Sequence, residues 1–235
     1  MSPNNHVDIM FLHGWGLTTR VCVLTPCLYS VAEKTGAAEL HKIAEVLQKD
    51  ILNKTVLVAW SLGGLLALQL AELSDKVVGI VFLATAPKFM NDAAWLKTID
   101  EKELAGLGQA LNTDTGSALA SFITLIAHGD ISSRKTARYL QSCVAKQEHQ
   151  QILSCWLQEL ENLDLREAYS RLTLPAYVLL AEKDVLINQN INQSLTELNP
   201  RIEVDILLSC GHAFFISAAQ EARSRIERFI NAGIN

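Results

Sequence analysis

Short continuous apolar runs alternate with stretches of helical spacing along much of this chain. Residues 7–13 (VDIMFLH) form an apolar run that stops at His13-Gly14, which predicts a buried strand followed by a glycine turn. Residues 21–28 (VCVLTPCL) predict a second strand, broken near Pro26. Over 37–52, Leu40, Ile43, Ala44, Leu47 and Ile51 recur at helical spacing. Residues 55–60 (TVLVAW) read as a strand, 62–73 (LGGLLALQLAEL) as a helix apolar nearly all round, and 77–84 (VVGIVFLA) as another strand. The rhythm changes at Pro87. From about Asp92 to Arg171 the periodicity is helical and no strand is expected. It then resumes with a strand at 175–181, a helix at 189–198, a strand at 202–208 and a closing helix at 214–232. Strands apolar on both faces, alternating with helices, predict an α/β architecture around a mostly parallel sheet covered on both sides. The helical stretch, about 88–171, is expected as a lid inserted into a single domain spanning 1–235.

Composition narrows the function classes. A chain of 235 residues, about half of them apolar, can bury one large core. No linker, low-complexity segment or repeat divides it. The formal charge of −5 gives no global attraction for nucleic acid or anionic membranes, so neither is expected as a partner. The cysteines, Cys22, Cys27, Cys143, Cys155 and Cys210, are odd in number and lack paired spacing, which argues against a disulfide framework and for small buried side chains in a reducing compartment. No signal peptide or membrane-spanning run is evident, so a cytoplasmic, monomeric protein is expected. His41, His128 and His149 share no metal-ligand spacing, and no metal or cofactor is expected.

The candidate chemistry sits at strand ends. In Ala59-Trp60-Ser61-Leu62-Gly63-Gly64, a serine lies between a buried strand and an apolar helix. Small residues around it let strand and helix approach closely, and the sharp turn exposes the hydroxyl beside a helix N-terminus. Ala59 stands where the usual GxSxG elbow has its first glycine. A serine in this place also has a plain alternative role as a helix cap. An activated serine needs a base, and the base needs an orienting acid. His212, in Ser209-Cys210-Gly211-His212, follows the last strand, and Asp184 follows the 175–181 strand. Serine, acid and histidine thus arrive in that order, each at the carboxyl edge where open parallel sheets gather their sites. Glu182 is the nearest alternative acid. Asp205 lies inside a strand and is expected to face outward. His13 is expected to organise its loop.

The oxyanion of an acyl-transfer step needs donors where charge develops. The Leu62 amide heads the helix after Ser61. The Trp15 amide lies in His13-Gly14-Trp15-Gly16, where glycines allow it to turn inward. These groups predict that His212 takes the Ser61 proton, Ser61 attacks an acyl carbonyl, and the Trp15 and Leu62 amides hold the oxyanion.

Taken together, LHGWG (12–16), AWSLGGLLA (59–67), the Asp184 turn and GHAFFIS (211–217) resemble the pimeloyl-acyl carrier protein methyl ester esterases of biotin synthesis, BioH-type carboxylesterases of the α/β-hydrolase fold. The resemblance spans most of the chain and is weakest around 20–50 and in the lid. It departs at Ala59, and at the N-terminus, where the leading strand pair of the family is missing from the reading. It implies hydrolysis of a methyl ester carried by an acidic acyl carrier protein. Trp15, Leu62 and the apolar run Phe122-Ile123-Thr124-Leu125-Ile126 would then contact the acyl chain; for the run, ordinary helix packing is the alternative. Arg134 and Arg138, on one helix face with Lys135 between them and Lys146 beyond, would dock the carrier protein; a solvated surface is the alternative. Two further readings stay open: a hydrolase of small esters or thioesters, and a non-catalytic ligand-binding protein of the same fold.

Overall fold

The computed structural model describes residues 7–22, 28–92, 95, 98, 99 and 101–234. Among them, five strands form one sheet in the order β1-β2-β3-β4-β5, every neighbouring pair parallel. They are β1 (Asp8–Leu12), β2 (Thr55–Trp60), β3 (Val77–Leu83), β4 (Ala176–Ala181) and β5 (Glu203–Leu207). β2 and β4 are buried along their whole length, which is why their sequences are apolar without alternation. Alternation persists in direction. Tyr177 of β4 stacks on Phe229 of the C-terminal helix, while Val178 lines a small cavity with Leu68 and Tyr169 on the opposite face.

Helices cover both faces. The first part of the chain contributes α1 (Leu28–Thr35), α2 (Leu40–Leu47) and α3 (Leu62–Leu73). Between β3 and β4 lie α4 (Glu101–Thr113), α5 (Thr115–Ile126), α6 (Ser133–Gln141), α7 (Gln150–Asn162) and α8 (Arg166–Arg171). The last part adds α9 (Asn192–Leu198), the short α10 (Phe214–Ser217) and α11 (Ala219–Gly233). A helix of the length of α3, 12 residues, is marginal in isolation. Here Leu62, Leu65, Leu66, Leu68 and Leu70 are buried between the sheet and α2, at about 1.5–3 kcal/mol for each fully buried leucine. Packing therefore holds it, which explains why its sequence has no polar face.

The register aligns the carboxyl ends of the strands. Leu12 lies opposite Ala59, Ala59 opposite Phe82, Leu83 opposite Leu179 and Ala181 opposite Leu207. The loops that begin at His13, Ser61, Ala84, Glu182 and Leu208 consequently emerge along one edge.

Three expectations need correction. The 21–28 stretch does not read as a strand at either described end. Thr19–Val21 is a 3-10 turn and Leu28 opens α1, while 23–27 lies outside the described residues. The expected closing helix over 214–232 is broken into α10 and α11 at Ala218. Asp205 does not face open solvent. It accepts a hydrogen bond from Tyr177 Oη at 3.1 Å and pairs with Arg225 of α11, and these donors hold its carboxyl below the usual range against the cost of burial.

Candidate active site

Ser61 stands at the sharp turn between β2 and α3 with φ +55° and ψ −124°, a conformation that costs a non-glycine residue strain. Its side chain makes no capping hydrogen bond to the helix, so the helix-cap role is not the one it plays here. The turn is held from outside: Thr85 Oγ1 donates to Ser61 O at 2.7 Å, and Ser61 N donates to Leu83 O at 3.0 Å. The close approach falls on Gly63, where a Cβ would lie 2.3 Å from Leu12 O. Ala59 is fully buried in β2 with its methyl accommodated. Glycine is thus demanded after the serine more strictly than before it.

Asp184 and His212 meet in the core. Asp184 Oδ1 accepts from the amides of Leu186 at 2.8 Å and Ile187 at 3.0 Å, and Oδ2 lies 2.8 Å from His212 Nδ1. Both residues are buried. A carboxylate can only accept, so Nδ1 carries the proton and Nε2 presents its lone pair. Nε2 is buried and has no hydrogen-bond partner among the described residues. The histidine is anchored beside the serine strand, because Trp60 Nε1 donates to His212 O at 3.0 Å and the two rings lie 5.5 Å apart. Glu182 is engaged elsewhere, with Oε2 accepting from Ser209 N at 2.7 Å.

Trp15 and Leu62 flank the serine. Leu62 heads α3, where amides lack intrahelical acceptors. Gly16 has φ +78°, which turns the Trp15 loop, and the indole Nε1 of Trp15 donates to Leu153 O of α7 at 2.8 Å. His13 is fully buried. Its Nδ1 bonds Gly14 O at 2.9 Å, and burial lowers its pKa to about 4, so it organises the loop as a neutral ring.

A cavity of about 320 Å³ opens at Ser61. Trp15, Phe122, Leu125, Leu160 and Leu186 form apolar walls, and Glu103 stands among them as an ionisable side chain. From the predicted run, Phe122 and Leu125 reach the cavity. Ile123 and Ile126 are buried in the core, and Thr124 is exposed with its hydroxyl on Ala120 O, so these three are not among the lining residues. Leu160 of α7 and Leu186 were not singled out from sequence, since nothing distinguishes them from other core leucines. Arg134, Lys135 and Arg138 lie exposed on α6 and form no ion pair among the described residues, whereas Lys146 lies 3.4 Å from Glu148.

A strained serine at the tip of a parallel-sheet strand, opening on an apolar cavity, and a buried acid–histidine pair carried by the loops after β4 and β5 along the same sheet edge define a class. The chain belongs to the alpha/beta hydrolase family, whose model matches residues 9–224. It is 30% identical over 227 residues to the pimeloyl-[acyl-carrier protein] methyl ester esterase of Vibrio vulnificus, covering 89% of both chains. It is also 30% identical over 241 residues to the protein of that name from Serratia marcescens, covering 96% of this chain and 94% of the other. Among solved structures, an esterase from Exiguobacterium antarcticum aligns with a TM-score of 0.76 at 14% identity, over 96% of this chain and 92% of that one. At that identity the likeness speaks for the fold alone.

Proposed function

We propose that the protein is a serine carboxylesterase that hydrolyses the methyl ester of pimeloyl-[acyl-carrier protein], releasing methanol, with Ser61 as nucleophile, His212 as base and Asp184 as its orienting acid. One observation carries the catalytic part: the buried 2.8 Å contact of Asp184 with His212 Nδ1 leaves Nε2 as a lone-pair acceptor with no hydrogen-bond partner among the described residues. In the proposed reaction, Nε2 takes the Ser61 proton as Oγ attacks the ester carbonyl carbon. The oxyanion rests on the Trp15 and Leu62 amides. The imidazolium protonates the departing methoxide as methanol, leaving an acyl-serine. Water then gives a proton to Nε2 and adds to the acyl carbon, and that proton returns to Ser61 Oγ as the acid leaves. No cofactor enters these steps.

The named relatives support the substrate, and the cavity is compatible with it. Its volume lies at the small end of the roughly 300–1,000 Å³ typical of ligand pockets, and its apolar walls suit a short acyl chain. Helix α6, with Arg134 and Arg138 exposed, is the proposed dock for the acidic carrier protein, and the helices between β3 and β4 are its proposed lid. No helix among the described residues is long and apolar enough to cross a membrane. The proposed setting is the cytoplasm, with the chain acting as a monomer.

The test is complementation of a biotin auxotroph lacking its esterase, alongside a short p-nitrophenyl ester assay. Wild type is expected to restore growth and hydrolyse the ester, and Ser61→Ala to lose both. Ester hydrolysis without growth would favour a hydrolase of small esters. Absence of hydrolysis and of fluorophosphonate labelling in folded wild type would favour a binding protein.

A further inference from the structure

The turn joining α5 to α6 carries a buried carboxylate that the reaction above does not use. Asp130 is only 7% exposed. Its Oδ1 accepts from Gly211 N at 2.8 Å and from Ser217 Oγ at 2.9 Å. Those two donors bracket His212: Gly211 immediately precedes it, and Ser217 ends α10 just beyond it.

The same turn is fitted against both loops that supply the candidate acid and base. Gly129 has φ +83°, and a Cβ there would lie 2.5 Å from Lys183 O, the carbonyl next to Asp184. A Cβ on Gly211 would lie 2.2 Å from His128 O. The two loops are tied to each other by Lys183 N, which donates to Cys210 O at 2.8 Å. Residues 128–130 therefore sit as a wedge beneath the Asp184 and His212 loops, and Asp130 is the side chain that grips the second of them.

We propose that Asp130 is a positioning residue for His212: its carboxylate holds the loop on both sides of the imidazole through its bonds to Gly211 and Ser217. The inference rests on the Ser61–His212–Asp184 reading. An asparagine could accept the same two hydrogen bonds without placing a charge where burial opposes it. Burial raises the Asp130 pKa, while the Gly211 amide and the Ser217 hydroxyl act against the rise. The other titratable groups about this turn are Cys210 beside His212, Glu182 and Lys183 on the acid loop, Glu221 at the start of α11, and His128 on the turn itself.

The experiment compares wild type, Asp130→Ala, Asp130→Asn and Ser61→Ala on a short p-nitrophenyl ester across pH, with urea unfolding to show that each variant is folded. Asp130→Ala should lose kcat by about 10- to 100-fold with KM little changed, the size expected for a displaced base. Asp130→Asn should restore much of that loss, because an asparagine oxygen can accept the same two hydrogen bonds. A folded Asp130→Ala with wild-type kcat overturns the inference. If Asp130→Ala does not fold, a folded Ser217→Ala, which removes one of the two bonds, with wild-type kcat overturns it instead. Ser61→Ala separates the two readings. An inert Ser61→Ala beside an unaffected Asp130→Ala sinks this inference alone, whereas an active Ser61→Ala sinks the site.

Discussion

A histidine sealed from solvent resists protonation, and His13 is such a residue. Its ring lies against Tyr29 and Trp156, with centroids 5.8 Å and 6.2 Å away, and its pKa falls to about 4. In the unfolded chain it returns to roughly 6.5. Between those values the unfolded state binds a proton that the folded state refuses, so folding stability falls as pH drops through 6.5 and keeps falling until about 4. At about 1.4 kcal/mol per unit, this one ring contributes on the order of 3 kcal/mol of acid sensitivity. Urea unfolding at pH 7, 6 and 5 should show that decline in wild type and a shallower one in His13→Gln. Parallel declines would mean that other groups carry the acid sensitivity. Ser61 illustrates a different residue-scale point. Its motif alone was compatible with a helix cap, and the backbone angle together with the idle hydroxyl separates the two roles.

Elements whose sequences are constrained by burial were legible, and those constrained by partners were not. β2, β3 and β4 read correctly because strands covered on both faces admit little but apolar residues. Of the proposed catalytic residues, Ser61 and Asp184 follow such strands, whereas His212 follows β5, which is only partly buried. Helix α1 was not, since its pattern abuts Pro26 and an apolar stretch that resembles a strand. Nor could spacing show which side of α5 would meet a cavity. Phe122 and Leu125 reach it only because α4 and α7 stand where they do. Asn199 belongs to this second kind. It is buried in the turn before β5, where Nδ2 donates to Tyr169 O at 2.9 Å and Leu172 O at 3.0 Å and Oδ1 accepts from Arg201 N at 3.2 Å. It thereby closes the C-terminal end of α8 against the sheet. Asn199→Ala should lower unfolding free energy by about 1 kcal/mol, because Tyr169 O and Leu172 O each lose one donor while keeping another, from Leu172 N and Arg201 Nη2, while kcat on a small ester stays at the wild-type value. A loss below 0.5 kcal/mol, about the scale of a neutral surface change, would show that the turn is held by other contacts.

For the whole molecule, net charge and local charge point in opposite directions. A chain of −5 should repel an acidic carrier protein at long range. The proposed docking on α6 would rest on Arg134, Lys135 and Arg138, which are exposed together and are not neutralised by ion pairs among the described residues. The side of α6 that carries Thr136 and Leu140 is buried, and the helix packs on α5 and α10, so its basic side is displayed by the same elements that support the cavity wall and the His212 loop. At about 0.1 M salt the Debye length is near 10 Å, so attraction to this patch acts at short range and weakens further as salt rises. The expected outcome is specific. Raising salt should lower kcat/KM for a carrier-bound methyl ester and leave a p-nitrophenyl ester nearly unaffected. Arg134→Glu with Arg138→Glu should reproduce the loss at low salt, by about tenfold or more for two reversed contacts, and invert the salt dependence, because salt then screens a repulsion. Equal losses on both substrates would place the effect in the fold or the catalytic centre. A carrier-bound substrate indifferent to both salt and charge reversal would remove α6 from the docking surface.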